Sequence, residues 1–405
     1  MTIADWLFTT FEARETHELP TKMMERLLDD EKRYGILESY RQTFSDLTHD
    51  YLRDFFQDSA ADRKALKQDY TPDSICQIVA HLAGKPERCL DMCAGTGALT
   101  IGVWKESPQT EFICMELSTM AVPFLLLNLS VRGIEATVVQ GDVLTEEIQT
   151  IYELEDGKIT TKPVESYKPQ SFPIIITNPP YSLKWDGEPR KWLEGWETPP
   201  KSKADFAFVL KALSMLQASG KLVSVLPHGV LFRGASEGKI RKRIIEKDFW
   251  STIVGLPSNL FQETSIPVQI SVFEKSDDLH FIDASNLFTK VKKQNLLEPE
   301  HIETIKKAID ERGETERLSH LASLDEIAKN DYNLNAPRYI DITEPEPEID
   351  IVEVTRELIR CEQEQQRLTK EITAMILELE STIGDPAWKE AQDLWREYAK
   401  MQALL

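Results

Sequence analysis

One short stretch concentrates side chains that could do chemistry: "IIITNPPYSLKW", beginning at Ile174. Aliphatic residues run straight into Asn178, Pro179, Pro180 and Tyr181. An amide offers a donor and an acceptor. Prolines fix φ and hold the backbone stiff between amide and ring. A plain turn after a strand is equally open on this segment alone, because Asn and Pro suit turns and Pro is excluded from central ladders.

Three acids precede it. In "LDMCAGTGALT", strand-like residues lead to Asp91, and the Gly-containing loop Ala94, Gly95, Thr96 and Gly97 then opens a helix. Small residues let backbone approach a ligand, and a helix N-terminus attracts a carboxylate or phosphate. A dinucleotide site would begin the same way, but the Lys-Ser/Thr of a P-loop is missing. A second strand ends in "CMEL". Glu116 there follows the glycine loop by about 20 residues, where an acid can accept both hydroxyls of a ribose. A third ends in "QGDV", and Asp142 could accept from the exocyclic amine of an adenine ring. Any one of these acids could instead cap a helix. Three at consecutive strand ends favour one shared site.

The elements that must position them alternate. "RCLDMCAG", "EFICMEL", "EATVVQGD", "FPIIITNPP", "GKLVSVLP" and "WSTIVGLP" read as strands. "SICQIVAHLA", "GALTIGVWKE", "AVPFLLLNLSVRG", "DFAFVLKALSMLQASG" and "KIRKRIIEKD" read as helices. This predicts an α/β fold with a mostly parallel, doubly wound sheet, with ligands beyond the carboxyl ends of the strands. "SIPVQISVFEK" suits a further, antiparallel strand. Residues 145–172 form a polar insertion with an "EDGK" hairpin turn. Residues 182–203 carry three tryptophans and no evident element. A long loop of this content is commonly functional or mobile.

Residues 1–68 are expected to form a small helical domain; in "FSDLTHDYLRDFF", Phe44, Leu47, Tyr51, Leu52 and Phe55 recur at helical spacing. Residues 69–340 are expected to form the α/β domain that carries the strand-end acids and NPPY, and 341–350 an acidic, proline-containing linker. In 351–405, Ile351, Val354, Leu358, Cys361, Gln365, Leu368, Ile372, Met375 and Leu379 follow a three-four spacing. That is a heptad seam, either lying on its own domain or pairing with a partner as a coiled coil; the narrow stripe favours the partner.

The chain has 405 residues, 41% hydrophobic and 28% charged, in the range of ordinary globular proteins. A formal charge of −21 is not that of a protein gripping nucleic acid unaided. The five cysteines lack CxxC spacing, so reduced thiols in a cytoplasmic protein are expected rather than zinc or disulfides. No secretory signal opens the chain, and its longest apolar stretch, "AVPFLLLNLSV", is too short to span a bilayer.

The series DxxxGxG, strand-end Glu, GD and NPPY resembles the S-adenosylmethionine-dependent amino methyltransferases, in the order of their gamma class, which methylates adenine N6 in DNA. "DYTPDSI", "LPHGVLFRGASEGKIRKRII", "IVGLPSNLFQETSIPVQISVFEK" and "DYNLNAPRYID" resemble the modification (M) subunit of type I restriction-modification systems. The likeness runs from about residue 65 to 342. It departs mildly where the family often has Gly at Ala98 and Pro at Met92, and the N-terminal domain is shorter than usual.

The resemblance implies a Rossmann-like methyltransferase sheet. It implies that Gln68, Tyr70, Thr71, Pro72 and Asp73 line the methionine end of S-adenosylmethionine. Asp91, Thr96, Gly97 and Ala98 would hold its amino-acid part, with Ala94 and Gly95 also against the cofactor, Glu116 on the ribose and Asp142 on the adenine. The Asn178 oxygen and Pro179 carbonyl would each accept one N6–H, while Tyr181 stacks on a base flipped out of the duplex. No metal is needed, because the sulfonium already activates the methyl. Lys184, Trp185, Arg190 and Trp192, from the tryptophan-rich loop, are candidates to close over the nucleotide. Arg233, Lys239, Arg241 and Arg243 are candidate phosphate contacts, with a solvated helix face the alternative. Partners implied are double-stranded DNA, a specificity subunit with two M chains per specificity chain, and a nuclease subunit; no membrane is implied. A methyltransferase acting on protein glutamine or RNA, and a non-catalytic scaffold, are the competing readings.

Overall fold

The aliphatic runs become strands of one sheet: β1 Arg88–Asp91, β2 Glu111–Glu116, β3 Ala136–Asp142, β4 Glu147–Glu155, β5 Lys158–Lys162, β6 Phe172–Thr177, β7 Leu216–Pro227, β8 Thr252–Gly255, β9 Val268–Phe273 and β10 Asp278–Asp283. A small hairpin, β11 Thr289–Val291 with β12 Gln294–Leu296, lies apart, and β13 Ser319–Ser323 returns to the main sheet. The chain is seen in a computed structural model, which describes residues 1–59, 71–261, 265–292, 294–341, 350–379 and 386–402.

The order across the sheet is β13-β10-β8-β9-β7-β6-β1-β2-β3-β4-β5. Strands β3, β2, β1, β6 and β7 run parallel, and β9 is antiparallel to both β7 and β8. From β1 the chain winds outward to β3 and then returns to the other side of β1 at β6. The carboxyl ends of β1 and β6 therefore flank the crevice where such sheets bind ligands. Alternate strand residues feed two cores. Cys89, Phe112 and Ile176 face one, and Leu90, Ile113 and Ile175 face the other. Burial on both faces explains why these strands read as continuous aliphatic runs.

The 145–172 insertion is the β4–β5 hairpin, which extends the sheet past β3 and turns at Asp156 and Gly157, both with positive φ. Two expectations need correction. The "FSDLTHDYLRDFF" periodicity is broken, because one helix ends at Thr43 and the next spans Tyr51–Ser59. Asp50 Oδ1 accepts from the N–H groups of Leu52 and Arg53 and so starts the new helix. The helix Asp205–Ser214 also stops early. The Met215 carbonyl accepts from the Phe172 N–H, so "LQASG" extends β7 rather than the helix.

The helix Val122–Arg132 is buried along its whole length. It is apolar all round because the sheet covers one side and the helices Leu19–Leu27 and Asp30–Thr43 the other. Polar bonds fix this layer. Arg41 donates to the carbonyls of Val131 and Ser130, and Arg132 donates to the His49 carbonyl and to Asn128. Asn128 Nδ2 reaches Asp50 Oδ1 at 3.1 Å and the Thr96 carbonyl at 2.8 Å. The N-terminal helices thus share a core with the sheet and brace the glycine loop from below.

The chain divides into two units, Met1–Ile342 and Thr343–Leu405. In the second, helices Ile351–Glu378 and Pro386–Gln402 form an antiparallel pair. Trp395 donates to Thr373 and Gln392 to the Ile376 carbonyl. No residue of Ile351–Glu378 is buried; Leu358 is 57% and Met375 64% exposed along the heptad seam.

Replacing Asn128 with Ala strands buried groups of Asp50 and Arg132 and frees the glycine loop. It is expected to destabilise the chain by about 2–4 kcal/mol. Urea unfolding followed by tryptophan fluorescence measures this, and an unchanged midpoint contradicts the bracing role.

Candidate active site

The carboxyl ends of β1, β2, β3 and β6 open on one cleft. It is lined by Thr71, Ala94, Gly95, Thr96, Ala98, Glu116, Asp142, Asn178, Pro179, Pro180, Tyr181, Lys184 and Trp185, with Met92, Met115, Leu117, Leu144, Leu183 and Phe208 as apolar walls. The glycine loop, two of the three acids and NPPY are therefore neighbours in space.

The glycine loop is stitched at both sides, with Met92 N–H on the Ile176 carbonyl and Ala94 N–H on the Met115 carbonyl. Gly95 and Gly97 have φ +57° and +96°, which side-chain-bearing residues rarely hold. At Gly97 an added Cβ would also meet Leu125 at 2.9 Å, whereas at Gly95 it would meet nothing within 4 Å. Gly95 therefore leaves open room in a position that lines the cleft.

Each oxygen of Glu116 accepts one backbone N–H, from Gly95 and from Ser118, both at 2.7 Å. Burial raises its carboxyl above the usual range, and these N–H groups pull it back. A carboxylate oxygen has further lone pairs, so both remain able to accept a hydroxyl. Asp142 Oδ1 caps its own turn, accepting from Leu144 at 2.8 Å and Thr145 at 3.3 Å.

Asp91 behaves differently. It is fully buried behind the loop and does not line the cleft. Oδ2 accepts from the Thr100 hydroxyl at 2.8 Å, and Oδ1 has no partner. Burial pushes its carboxyl up to about 7; the Thr100 hydroxyl opposes this and the nearby Glu116 charge adds to it.

Of the segment expected at the methionine end, Gln68 and Tyr70 lie outside the described residues. Thr71 lines the cleft. Pro72 and Asp73 line a second hollow beside residues 294–299. Asp73 is held by Gln77 at 2.7 Å and Lys105 at 3.1 Å.

Asn178 is held at both ends. Its Nδ2 donates to Thr71 Oγ1 at 2.8 Å, and its Oδ1 accepts from the Tyr181 hydroxyl at 2.7 Å. Phe261, which the sequence reading passed over, stands edge-on to Tyr181 at 5.9 Å. Its signal was available: "GLPSNLF" leaves β8 at the same carboxyl edge of the sheet.

The candidate DNA contacts divide. Lys184 is exposed and lines the cleft with Trp185. Trp185 donates to the Pro200 carbonyl, and Trp192 is buried and donates to the Leu144 carbonyl, so both rest on their own domain. Arg190 pairs with Asp186 and lies over the Trp185 ring. Lys239 pairs with Glu197, and Arg243 is exposed over Trp196. Arg241 is buried and donates to the carbonyls of Tyr332, Val230 and Arg233, which corrects its reading as a phosphate contact. Arg233 turns inward to Asp205 and Glu237.

The Asp91 carboxyl has a pH signature. Its folded value of about 7 lies above its reference value of 3.8, so the folded chain binds this proton more tightly. The group's stabilising contribution is complete below about pH 4 and is lost as pH rises through 7. Asp91→Asn keeps an acceptor for Thr100 and is expected to be more stable than wild type at pH 8 by about 1–4 kcal/mol, with the gap closing near pH 4. Urea midpoints at the two pH values give the result; a gap independent of pH contradicts it.

The N-6 DNA methylase family model matches residues 40–348. The methylase subunit of the type I restriction enzyme MpnII of Mycoplasma pneumoniae is 27% identical over 394 residues, covering 91% of this chain and 69% of that protein. The MjaVIII methylase subunit of Methanocaldococcus jannaschii is 30% identical over 353 residues, covering 80% and 59%. The type I restriction-modification methyltransferase subunit from Streptococcus thermophilus superposes with a TM-score of 0.63 at 33% identity, covering 72% of this chain and 62% of that one. The chain thus spans 59–69% of the length of these relatives. The sheet, the glycine loop and the NPPY segment all fall within the matched residues, and the chain belongs to the N-6 DNA methylase family.

Proposed function

We propose that the chain methylates adenine N6 in double-stranded DNA with S-adenosylmethionine, as the modification subunit of a type I restriction-modification system. The observation that carries the reading is the single cleft shared by Asn178, Pro179 and Tyr181 with Glu116 and the glycine loop. The relatives named as methylase subunits of type I restriction enzymes support it.

The residues present suit the cofactor. The open side of Gly95 leaves room for its amino-acid part, with the unpartnered Asp91 Oδ1 behind the loop. Glu116 can accept ribose hydroxyls, and Asp142 lies on the same wall. When bound, S-adenosylmethionine supplies an activated methyl on a sulfonium.

The chain's own residues prepare the nucleophile. Adenine N6 is weak because its lone pair is delocalised into the ring. Asn178 Oδ1 and the Pro179 carbonyl each accept one N6–H, drawing the nitrogen towards tetrahedral geometry and freeing its lone pair. Asn178 Oδ1 already accepts from Tyr181 and has a second lone pair for the base. Thr71 takes the Nδ2 end, so the oxygen end faces the substrate. Tyr181 offers a stacking face, beside Phe261, to a base that has left the duplex.

The finer assembly belongs to the same proposal. The chain works in the cytoplasm, where a separate specificity subunit selects the site, two catalytic chains serve one such subunit, and a nuclease subunit can join them. The exposed seam of the C-terminal helix would dock on the partner's helices.

Asn178→Ala is expected to lower methylation by at least about 100-fold while calorimetry shows S-adenosylmethionine binding retained. Incorporation of labelled methyl into DNA, RNA and protein provides the test. Label in RNA or protein instead of DNA, or full activity of the variant, sinks the reading.

A further inference from the structure

Asp205 opens the helix Asp205–Ser214 and is 1% exposed. Its two oxygens face different elements. Oδ1 accepts the backbone N–H of Ser182 at 2.7 Å, and Oδ2 accepts from Arg233 Nη1 at 2.9 Å. The same Nη1 reaches Glu237 Oε1 at 2.9 Å. Ser182 follows Tyr181 directly and has φ +51°, a left-handed conformation costly for an L residue. Ala204 donates its N–H to the Leu183 carbonyl at 2.8 Å, so residues 204 and 205 grip 183 and 182 in turn.

The far side of the clamp is equally built. A Cβ at Gly229 would lie 2.2 Å from Arg233 Nε, so the guanidinium needs the space a glycine leaves. Arg241 donates to the carbonyls of Val230 and Arg233, fixing the turn from which Arg233 reaches inward. Buried ion pairs are poor sources of stability, because desolvation offsets their attraction. Placing one against the residue that follows NPPY therefore points to a positioning task.

We propose that Asp205 and Arg233 are positioning residues for methyl transfer. Arg233 fixes the Asp205 carboxylate, Asp205 holds Ser182 in its left-handed conformation, and that conformation aims Tyr181, and through its hydroxyl Asn178, at the base. The proposal rests on the adenine-methylation reading above. The charge-assisted N–H···O bond to Ser182 is of the stronger kind. Without it Ser182 relaxes to negative φ, the chain leaving Tyr181 swings, and the Tyr181–Asn178 bond loses its register. The cofactor wall, built from Thr71, the glycine loop and Glu116, stays as it is.

The test follows the rate at which DNA adenines become methylated after induction of the full chain in cells lacking their own copy, using methylation-aware sequencing. Calorimetry on the purified chains measures S-adenosylmethionine binding. Asp205→Leu is expected to slow methylation about 30-fold or more, with cofactor affinity within about twofold of wild type. Ser182→Gly added to Asp205→Leu is expected to restore the rate about tenfold, because glycine holds positive φ without strain. Should Asp205→Leu not accumulate, the near-isosteric Asp205→Asn replaces it, with a smaller loss and the same rescue by Ser182→Gly. If the wild type marks no adenine, the methylation reading fails. If the wild type marks DNA and the Asp205 variants keep pace, or if Ser182→Gly rescues nothing, the clamp is overturned.

Discussion

The side-chain amide of Asn178 has two ends, and residues from different parts of the chain hold each one. Thr71 takes the nitrogen from before β1, and Tyr181 takes the oxygen from three residues further on. Only one rotation of the amide satisfies both bonds while turning the oxygen to the cleft. That arrangement requires β6 to end beside β1, and the sheet order provides it. The chain leaves β1 for β2 and β3, then returns on the other side at β6. The gap so created is where backbone groups at strand ends stand unpaired and a ligand can take their place.

Around that gap, rigidity and strain are distributed unevenly. The glycine loop is fixed by strand carbonyls above and by Asn128 below, and the buried helix carrying Asn128 is clamped by the N-terminal helices. This rigid side includes Asp91, whose buried carboxyl opposes stability near neutral pH. The NPPY side carries its strain at Ser182, held by a buried carboxylate. Each cost lies next to a residue whose position the cleft needs, the pattern expected where stability is traded for preorganisation.

Much of this was legible because it is local. Aliphatic runs ending in Asp91, Glu116, Asp142 and Asn178 identify strands and their carboxyl edge together. The antiparallel β9 and the hairpin at Asp156 and Gly157 also carried local signals. What was not legible depends on partners distant in sequence. Arg233 reads as a surface cation until Asp205 and Glu237 are found beside it. Arg241 had a readable clue: it falls on the stripe of Glu237, Ile244 and Ile245 that the helix Ala235–Ile245 buries. Helix ends failed for a similar reason. The Tyr51 helix is started by an Asp50 side-chain bond, and the 205–214 helix ends where β7 finds β6.

Charge then bears on how such a site could meet a duplex. Phosphate contacts supply most non-specific affinity for DNA, and each needs a cation not already neutralised. Near the cleft, Arg190 is paired with Asp186, Lys239 with Glu197, and Arg233 with Asp205 and Glu237. Arg241 faces carbonyls inside the fold. Among the described residues beside the cleft, Lys184, Lys191 and Arg243 are exposed, within a chain of formal charge −21. On the reading proposed above, a second chain would supply further phosphate contacts. The exposed heptad seam of Ile351–Glu378, with Gln365 as its polar interruption, has the chemistry to dock on another chain's helices.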